Sequence, residues 1–138
     1  MKNLLVFLLI PLFGLSQKFD KKIETLIQEN LQETVELRHW FHQHAELSNR
    51  EFKTSERIFN ELKKIGYDPK DGIAKTGVVA ILNEGKKGPV VALRADIDAL
   101  PVKERANIPW ASKMTGIYNG EEVPVMHACG HDMHTAIL

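Results

Sequence analysis

The run Met126-His127-Ala128-Cys129-Gly130-His131-Asp132-Met133-His134 gathers three histidines, an aspartate and the only cysteine of the 138-residue chain. Thiolate and imidazole are good ligands for first-row metal ions, and a borderline-soft ion such as zinc accepts both. His127, Cys129 and His131 alternate, so they share one face wherever the backbone is extended. Gly130 permits a tight turn between the last two. Asp132 is placed to cap a helix beginning at Met133, which would set the ligands at a strand-to-helix junction. A single histidine in such a segment is more often packed or exposed than liganding, but three around one cysteine favour metal binding. His134, inside the expected helix, is the least committed of them.

A second concentration of chemistry is Arg94-Ala95-Asp96-Ile97-Asp98-Ala99-Leu100-Pro101. Charged residues arrive abruptly there at the end of an apolar run, and in α/β sheets the crevice beyond the carboxyl ends of strands is where ligands bind. Asp96 and Asp98, two apart, direct both carboxylates to one face of an extended segment. The plain alternative is a strand running out into solvent, with Arg94 pairing one of them.

The elements that must carry these residues are legible in the spacing of apolar positions. From Phe19 to about Ala45 the residues Phe19, Ile23, Leu26, Ile27, Leu31, Val35 and Leu37 recur mostly at helical intervals, predicting a long amphipathic helix. Ser48 and Glu51 form a Ser-x-x-Glu capping box for a second helix, whose buried stripe is Phe52, Ile58, Phe59, Leu62 and Ile65. Gly66 is placed to end it. Beyond Gly72 the pattern turns β-rich, with strands expected in Gly77–Leu82 and Pro89–Ile97 around the exposed loop 83–88. Val90-Val91-Ala92-Leu93 is apolar without alternation, as in a strand covered on both faces. The expected fold class is α/β, a layered mixed sheet flanked by helices. Residues 101–125, punctuated by Pro109, Gly116, Gly120 and Pro124, read mostly as loop, and Glu121 and Glu122 as exposed loop residues.

Composition narrows the partners. With 43% hydrophobic and 26% charged residues, and 18 Lys+Arg against 18 Asp+Glu, the chain reads as globular. Balanced charge supplies no basic field for nucleic acid or an anionic membrane. The start, MKNLLVFLLIPLFGLSQ, sets a lysine before about twelve mostly apolar residues and ends on Gly14 and Ser16, which reads as an export signal over residues 1–16. That run is short of the roughly 20 apolar residues needed to span a bilayer. Export leaves Cys129 a lone thiol in an oxidising compartment, where a metal, a nucleophilic role, burial or an external partner would account for it.

Three motifs in order, LRHWFHQHAELSNRE, LRADIDALP and MHACGHDMHTA, resemble the amidohydrolase branch of the aminoacylase and carboxypeptidase family of zinc metallopeptidases, which includes hippurate hydrolases and hydrolases of auxin–amino acid conjugates. One departure is Ala45, where that family usually has proline. The resemblance implies that residues 17–138 are the N-terminal portion of a di-metal hydrolase domain, incomplete at its C-terminus. It implies Cys129 and His131 as ligands of two divalent ions, zinc foremost with manganese or cobalt as alternatives, and Cys129 as the bridging ligand. It makes Asp98 the catalytic-site carboxylate that supports the ligands, leaves Asp96 near the site without a defined role, and gives His127 a supporting one. The family's glutamate base follows the CGHD motif, so Glu121 and Glu122 do not take that role.

On that reading the intact enzyme, as a homodimer, hydrolyses the amide bond of a small N-acyl amino acid or peptide-like substrate, using metal-activated water. It binds no nucleic acid and, once the signal is removed, no membrane. These residues alone would bind metal weakly and leave Val90, Val91 or Leu93 open to water. Two rivals differ in class: a cysteine hydrolase with Cys129 as nucleophile, and an exported metal-binding module without catalysis.

Overall fold

The computed structural model describes residues 13–138. In chain order these form α1 (Phe13–Gln43), α2 (Phe52–Lys64), β1 (Lys70–Ile73), β2 (Gly77–Val79), β3 (Met114–Tyr118), β4 (Glu121–Val125) and α3 (His131–Ile137). The chain divides into two compact units, one through Val35 and one from Glu36 to Leu138. The expected export signal, residues 1–16, lies mostly outside the described residues. No helix among the described residues is long and apolar enough to cross a membrane.

In the first unit α1 carries Ile23, Leu26, Ile27 and Leu31 half exposed along one stripe. Thr25 and Thr34 hydroxyls and the Asn30 amide donate to carbonyls four residues back, the local bonding that lets such side chains sit inside a helix.

The second unit begins with the last turns of α1. The guanidinium of Arg57 on α2 lies 5.0 Å from the centre of the Trp40 ring, joining the two helices by a cation–π contact. The expected capping box does not form. Glu51 is the N-cap but makes no side-chain cap bond. Its carboxylate instead accepts from the Asn49 amide (2.9 Å) and the Thr76 hydroxyl (2.6 Å). Glu46 takes over the cap from outside the helix, accepting from the Thr54 amide at 2.8 Å, the Thr54 hydroxyl at 2.9 Å and the Lys53 amide at 3.2 Å. A carboxylate reaching back from a folded-over segment satisfies the same orphan donors as a local serine, with the added strength of charge. At the other end the sequence reading holds. Gly66 has φ +95°, and the Gly66→Lys63 and Tyr67→Leu62 backbone bonds make a Schellman closure.

The β structure is two antiparallel hairpins, β1–β2 and β3–β4. The class is thus mixed helix and strand, while residues 101–125 are more ordered than expected. Asn119 (φ 52°) and Gly120 (φ 86°) make the two-residue turn between β3 and β4, a pairing whose double positive φ matches strand twist. Glu121 and Glu122 are therefore strand residues, exposed as anticipated. Val90, Val91 and Leu93 are 96%, 81% and 76% exposed and belong to no strand. A doubly covered strand needs neighbours on either side, and none among the described residues pairs with it.

The core lies under the motif segments. Ala45 and Leu47 pack with Ala99 and Val125, flanked by Met114 and Val123. Leu47 bridges Ala99 in parallel and Leu100 bridges Met126 antiparallel. The backbone bonds are Ala99 N–H to Glu46 C=O at 2.7 Å and the reciprocal Leu100–Met126 pair at 3.0 and 3.1 Å. Residues 98–100 are thus held between the segment that follows α1 and the one that leads into α3.

Candidate metal centre

The chain arrives at α3 through Gly130, which adopts φ 86°, and the His134 and Met133 amides both donate to its carbonyl at 3.1 Å. His131 becomes the first residue of α3. Its Nδ1 lies 3.0 Å from the Asp98 carbonyl oxygen and 3.1 Å from Asp98 Oδ1. Both are acceptors, so Nδ1 carries the proton and donates, leaving the Nε2 lone pair available to a ligand. A carboxylate bonded to the far nitrogen of an imidazole is the arrangement that fixes the tautomer and ring orientation of metal-binding histidines. Thr135 Oγ1 adds a bond from α3 to the Asp96 carbonyl at 3.1 Å.

Asp96 does not share this role. Its carboxylate meets Arg94 at 2.7 Å on an exposed surface, and that hydrogen bond and charge hold its pKa below the ordinary value. Of the two aspartates in RADIDALP, then, Asp98 faces α3 and Asp96 pairs with arginine. Cys129 is an exposed free thiol. The rings of His134 and His131 stand 6.4 Å apart.

His127 is 6% exposed, and neither ring nitrogen has a hydrogen-bond partner among the described residues. Burial pushes its pKa down to about 4, against the partial pull of Asp132, so the ring is neutral near pH 7. Two buried nitrogens without a partner among the described residues are costly.

Asp132 corrects the sequence reading. Gly130 is the N-cap, and Asp132 makes no cap. Its buried Oδ2 receives His42 Nδ1 at 2.9 Å and Arg38 Nε at 3.2 Å. The opposite nitrogen of His42 meets Glu104 Oε2 at 2.8 Å. The Arg105 and Ala106 amides donate to Glu104 Oε1 at 2.9 and 2.8 Å. The Ala106 amide first, then His42, holds the Glu104 carboxyl below its usual range. His39 stacks on Trp110 at 3.7 Å and 13°, fastening the same loop to α1. Sequence reasoning missed Arg38, His42 and Glu104. The signal that could have found the first two is their i,i+4 spacing, which puts both side chains on one helix face.

The donors fit part of a metal site. His131 offers an oriented nitrogen and Cys129 an accessible sulfur, but among the described residues no three His, Cys, Asp or Glu side chains are grouped to hold an ion.

Comparison with known proteins places this geometry. Residues 92–138 match the model of peptidase family M20/M25/M40. The chain is 46% identical over 104 residues to N-acetyl-L-cysteine deacetylase of Bacillus subtilis, covering 75% of this chain and 23% of that one. It is 42% identical over 106 residues to hippurate hydrolase of Campylobacter jejuni, covering 77% and 26%. Among solved structures, a dinuclear metal binding peptidase of the M20 family from Bacillus subtilis superposes with a TM-score of 0.65 at 42% identity, over 76% of this chain and 27% of that one. The chain spans about a quarter of the length of these relatives. The family model falls on residues 92–138, which hold the second and third of the three motifs, and the structural likeness extends over 76% of the chain, so the chain is similar to peptidase family M20/M25/M40.

Proposed function

We propose that the protein is a metal-dependent amidohydrolase that cleaves the amide bond of N-acyl amino acids, with Cys129 and His131 as metal ligands and Asp98 as the residue that orients His131. The observation that carries this reading is the Asp98–His131 contact, which leaves Nε2 as the free donor, with the exposed thiol of Cys129 two residues earlier in the chain. The relatives named for N-acetyl-L-cysteine and hippurate support the substrate class, and the dinuclear neighbour supports two ions; a thiolate and an imidazole donor together suit zinc. When bound, such ions lower the pKa of a water and polarise an amide carbonyl. Within this chain, Asp98 keeps the His131 proton on Nδ1, and the buried surroundings of His127 keep its ring uncharged near the reacting centre. The further ligands and the glutamate base belong, on this reading, to sequence beyond these residues. Export after loss of residues 1–16 and assembly as a homodimer complete the proposal.

The test is hydrolysis of N-acetyl amino acids and hippurate by the intact protein, before and after chelation. Loss of activity on chelation and its return with zinc is the expected result. A cysteine hydrolase would use the same Asp98–His131 pair with Cys129 as nucleophile, and the accessible thiol is consistent with it. Activity that survives chelation but ends on stoichiometric alkylation of Cys129 would replace the metal reading with that one.

A further inference from the structure

Asn119 and Gly120 form the exposed turn between β3 and β4, with Tyr118 and Glu121 paired on either side. Among the asparagines of the chain, Asn119 alone precedes a glycine. That order matters for covalent chemistry. The side-chain carbonyl of an asparagine lies one ring closure away from the next residue's backbone nitrogen, and attack by that nitrogen makes a five-membered imide. A Cβ on the following residue crowds the attack, and glycine has none. Even a Cβ built at Gly120 would meet no atom within 4 Å, so water reaches this turn from an open side. Two other asparagines isolate the effect of the neighbour. Asn49 (φ 62°) and Asn83 (φ 61°) are exposed and share the left-handed backbone of Asn119 (φ 52°), but Arg50 and Glu84 follow them. The paired turn itself opposes the reaction. With positive φ at both positions it sets ψ of Asn119 at about +30°, which puts the Gly120 nitrogen on the far side of the Cα–C bond from the Asn119 side chain. Ring closure must therefore wait until Tyr118 and Glu121 part. The Thr115 hydroxyl, donating to Glu122 Oε1 at 2.7 Å across the two strands, is one of the contacts that delay this.

We propose that Asn119 is a site of spontaneous covalent modification, gated by opening of the β3–β4 turn. The Gly120 nitrogen bonds to Asn119 Cγ, and its proton leaves with the side-chain nitrogen as ammonia. One water then opens either C–N bond of the imide, leaving aspartate or isoaspartate. No oxidant or enzyme is required. Isoaspartate adds a methylene to the main chain of a turn that closes with two residues, so the Tyr118–Glu121 pairing cannot be rebuilt in the same form. Aspartate keeps the turn and adds a carboxylate beside Glu121 and Glu122. From this turn β4 runs on to Val125 in the core and to Met126, which exchanges two bonds with Leu100. Disorder begun at Asn119 therefore has a direct route along β4 to the segment that holds residues 98–100.

The test incubates the intact protein at mildly alkaline pH, where a backbone nitrogen gives up its proton more readily, and maps its peptides by mass spectrometry beside an isoaspartate-specific methyltransferase assay. In the folded protein, acid should accumulate at residue 119 as a mixture of isoaspartate and aspartate, while the peptides that hold Asn49 and Asn83 stay intact. Unfolding in urea should speed the conversion severalfold. Thr115→Val, which removes one cross-strand contact, should speed it about 1.5–5-fold in the folded protein. Asn119→Gly takes the positive φ without strain and has no side-chain amide, so it should keep the fold and stay unmodified. Asn119 that remains intact in the folded protein overturns the proposal. So does conversion to aspartate with no isoaspartate, which indicates direct hydrolysis in place of ring closure. A rate equal in folded and urea-unfolded protein, or unmoved by Thr115→Val, overturns the gating by the turn. None of these outcomes touches the metal-centre reading, because no step uses a residue of that site.

Discussion

Removing the Glu46 carboxylate should loosen α2 more than an ordinary cap substitution does. Three donors converge on it: the Thr54 amide and hydroxyl on one oxygen and the Lys53 amide on the other. Loss of a helix cap costs about 1 kcal/mol, with a range of roughly 0.5–2. Thr54 is 1% exposed, so in Glu46→Ala its hydroxyl is stranded without water. A buried donor left unpaired adds about 1–3 kcal/mol. The sum is about 2–4 kcal/mol, a large part of the roughly 5–15 kcal/mol by which natural domains are stable. Glu46→Gln can keep its one acceptor oxygen on Thr54 but turns an NH2 toward the Lys53 amide, losing that bond and the charge assistance, so its cost should be smaller, about 1–2 kcal/mol. Urea unfolding of the intact protein, followed by helical circular dichroism, gives these differences from midpoint and slope. Thr54→Val in each background closes a double-mutant cycle, and the penalty of Glu46→Ala should shrink once the hydroxyl is gone. If Glu46→Ala costs less than about 0.5 kcal/mol, or the cycle shows no coupling, the cap is not what these distances imply.

Other outcomes follow from particular contacts. Cys129→Ala and His131→Ala should each lower bound metal and amide hydrolysis together, whereas Asp98→Asn should keep most of the metal and lose activity; metal analysis beside an N-acetyl amino acid assay separates them. Because the Glu104 carboxyl is held below its unfolded value of 4.5, its contribution to stability is complete above that value and disappears as pH falls through the lower, folded one. Chemical denaturation from pH 6 to pH 3 should show stability declining on the acid side, with a shallower decline in Glu104→Gln. A Cβ at Gly116 would stand 2.9 Å from Leu47 Cδ1 and 3.4 Å from Val125 Cγ2. Gly116→Ala should therefore destabilise by about 1–3 kcal/mol through overpacking, read as a lower melting temperature, and Leu47→Val should relieve part of it.

Local signals in the sequence were dependable where the chain answers to itself. The helices α1 and α2 and the glycine closure at Gly66 depend on residues within a few positions of one another, and all are present, but the expected buried stripe of α2 is not: Phe52 and Ile65 are exposed, and Thr54 and Ser55 are the buried residues of that helix. The capping box failed because α2 starts at Phe52, three residues beyond where Ser48 as N-cap would place it, and Glu46 from the preceding segment accepts the Lys53 and Thr54 amides there. Asn119-Gly120 is a strong hairpin signal that the surrounding prolines and glycines obscured. The likeness of RADIDALP to a ligand-facing segment was legible, but only folding separates Asp98, turned to His131, from Asp96, turned to Arg94. His42 meets Glu104 and Asp132, 62 and 90 positions further along the chain, and nothing in the spacing of a single sequence encodes such a meeting.

The short ladder at residues 98–100 has a consequence for how the site can vary. Its neighbours hold it through main-chain atoms: the Ala99 amide on Glu46, and Leu100 exchanging two bonds with Met126. Peptide groups are the same whatever side chain they carry, so the lateral spacing between Asp98 and the turn into α3 is written in a medium that most substitutions leave untouched. Side chains along the rim, such as the exposed Leu100 and Val102, can be exchanged for others without shifting that frame. Proline is the exception, since at 99 or 100 it would delete the amide itself. A scaffold of this kind lets the side chains around it change while the distance over which Asp98 grips His131 stays put.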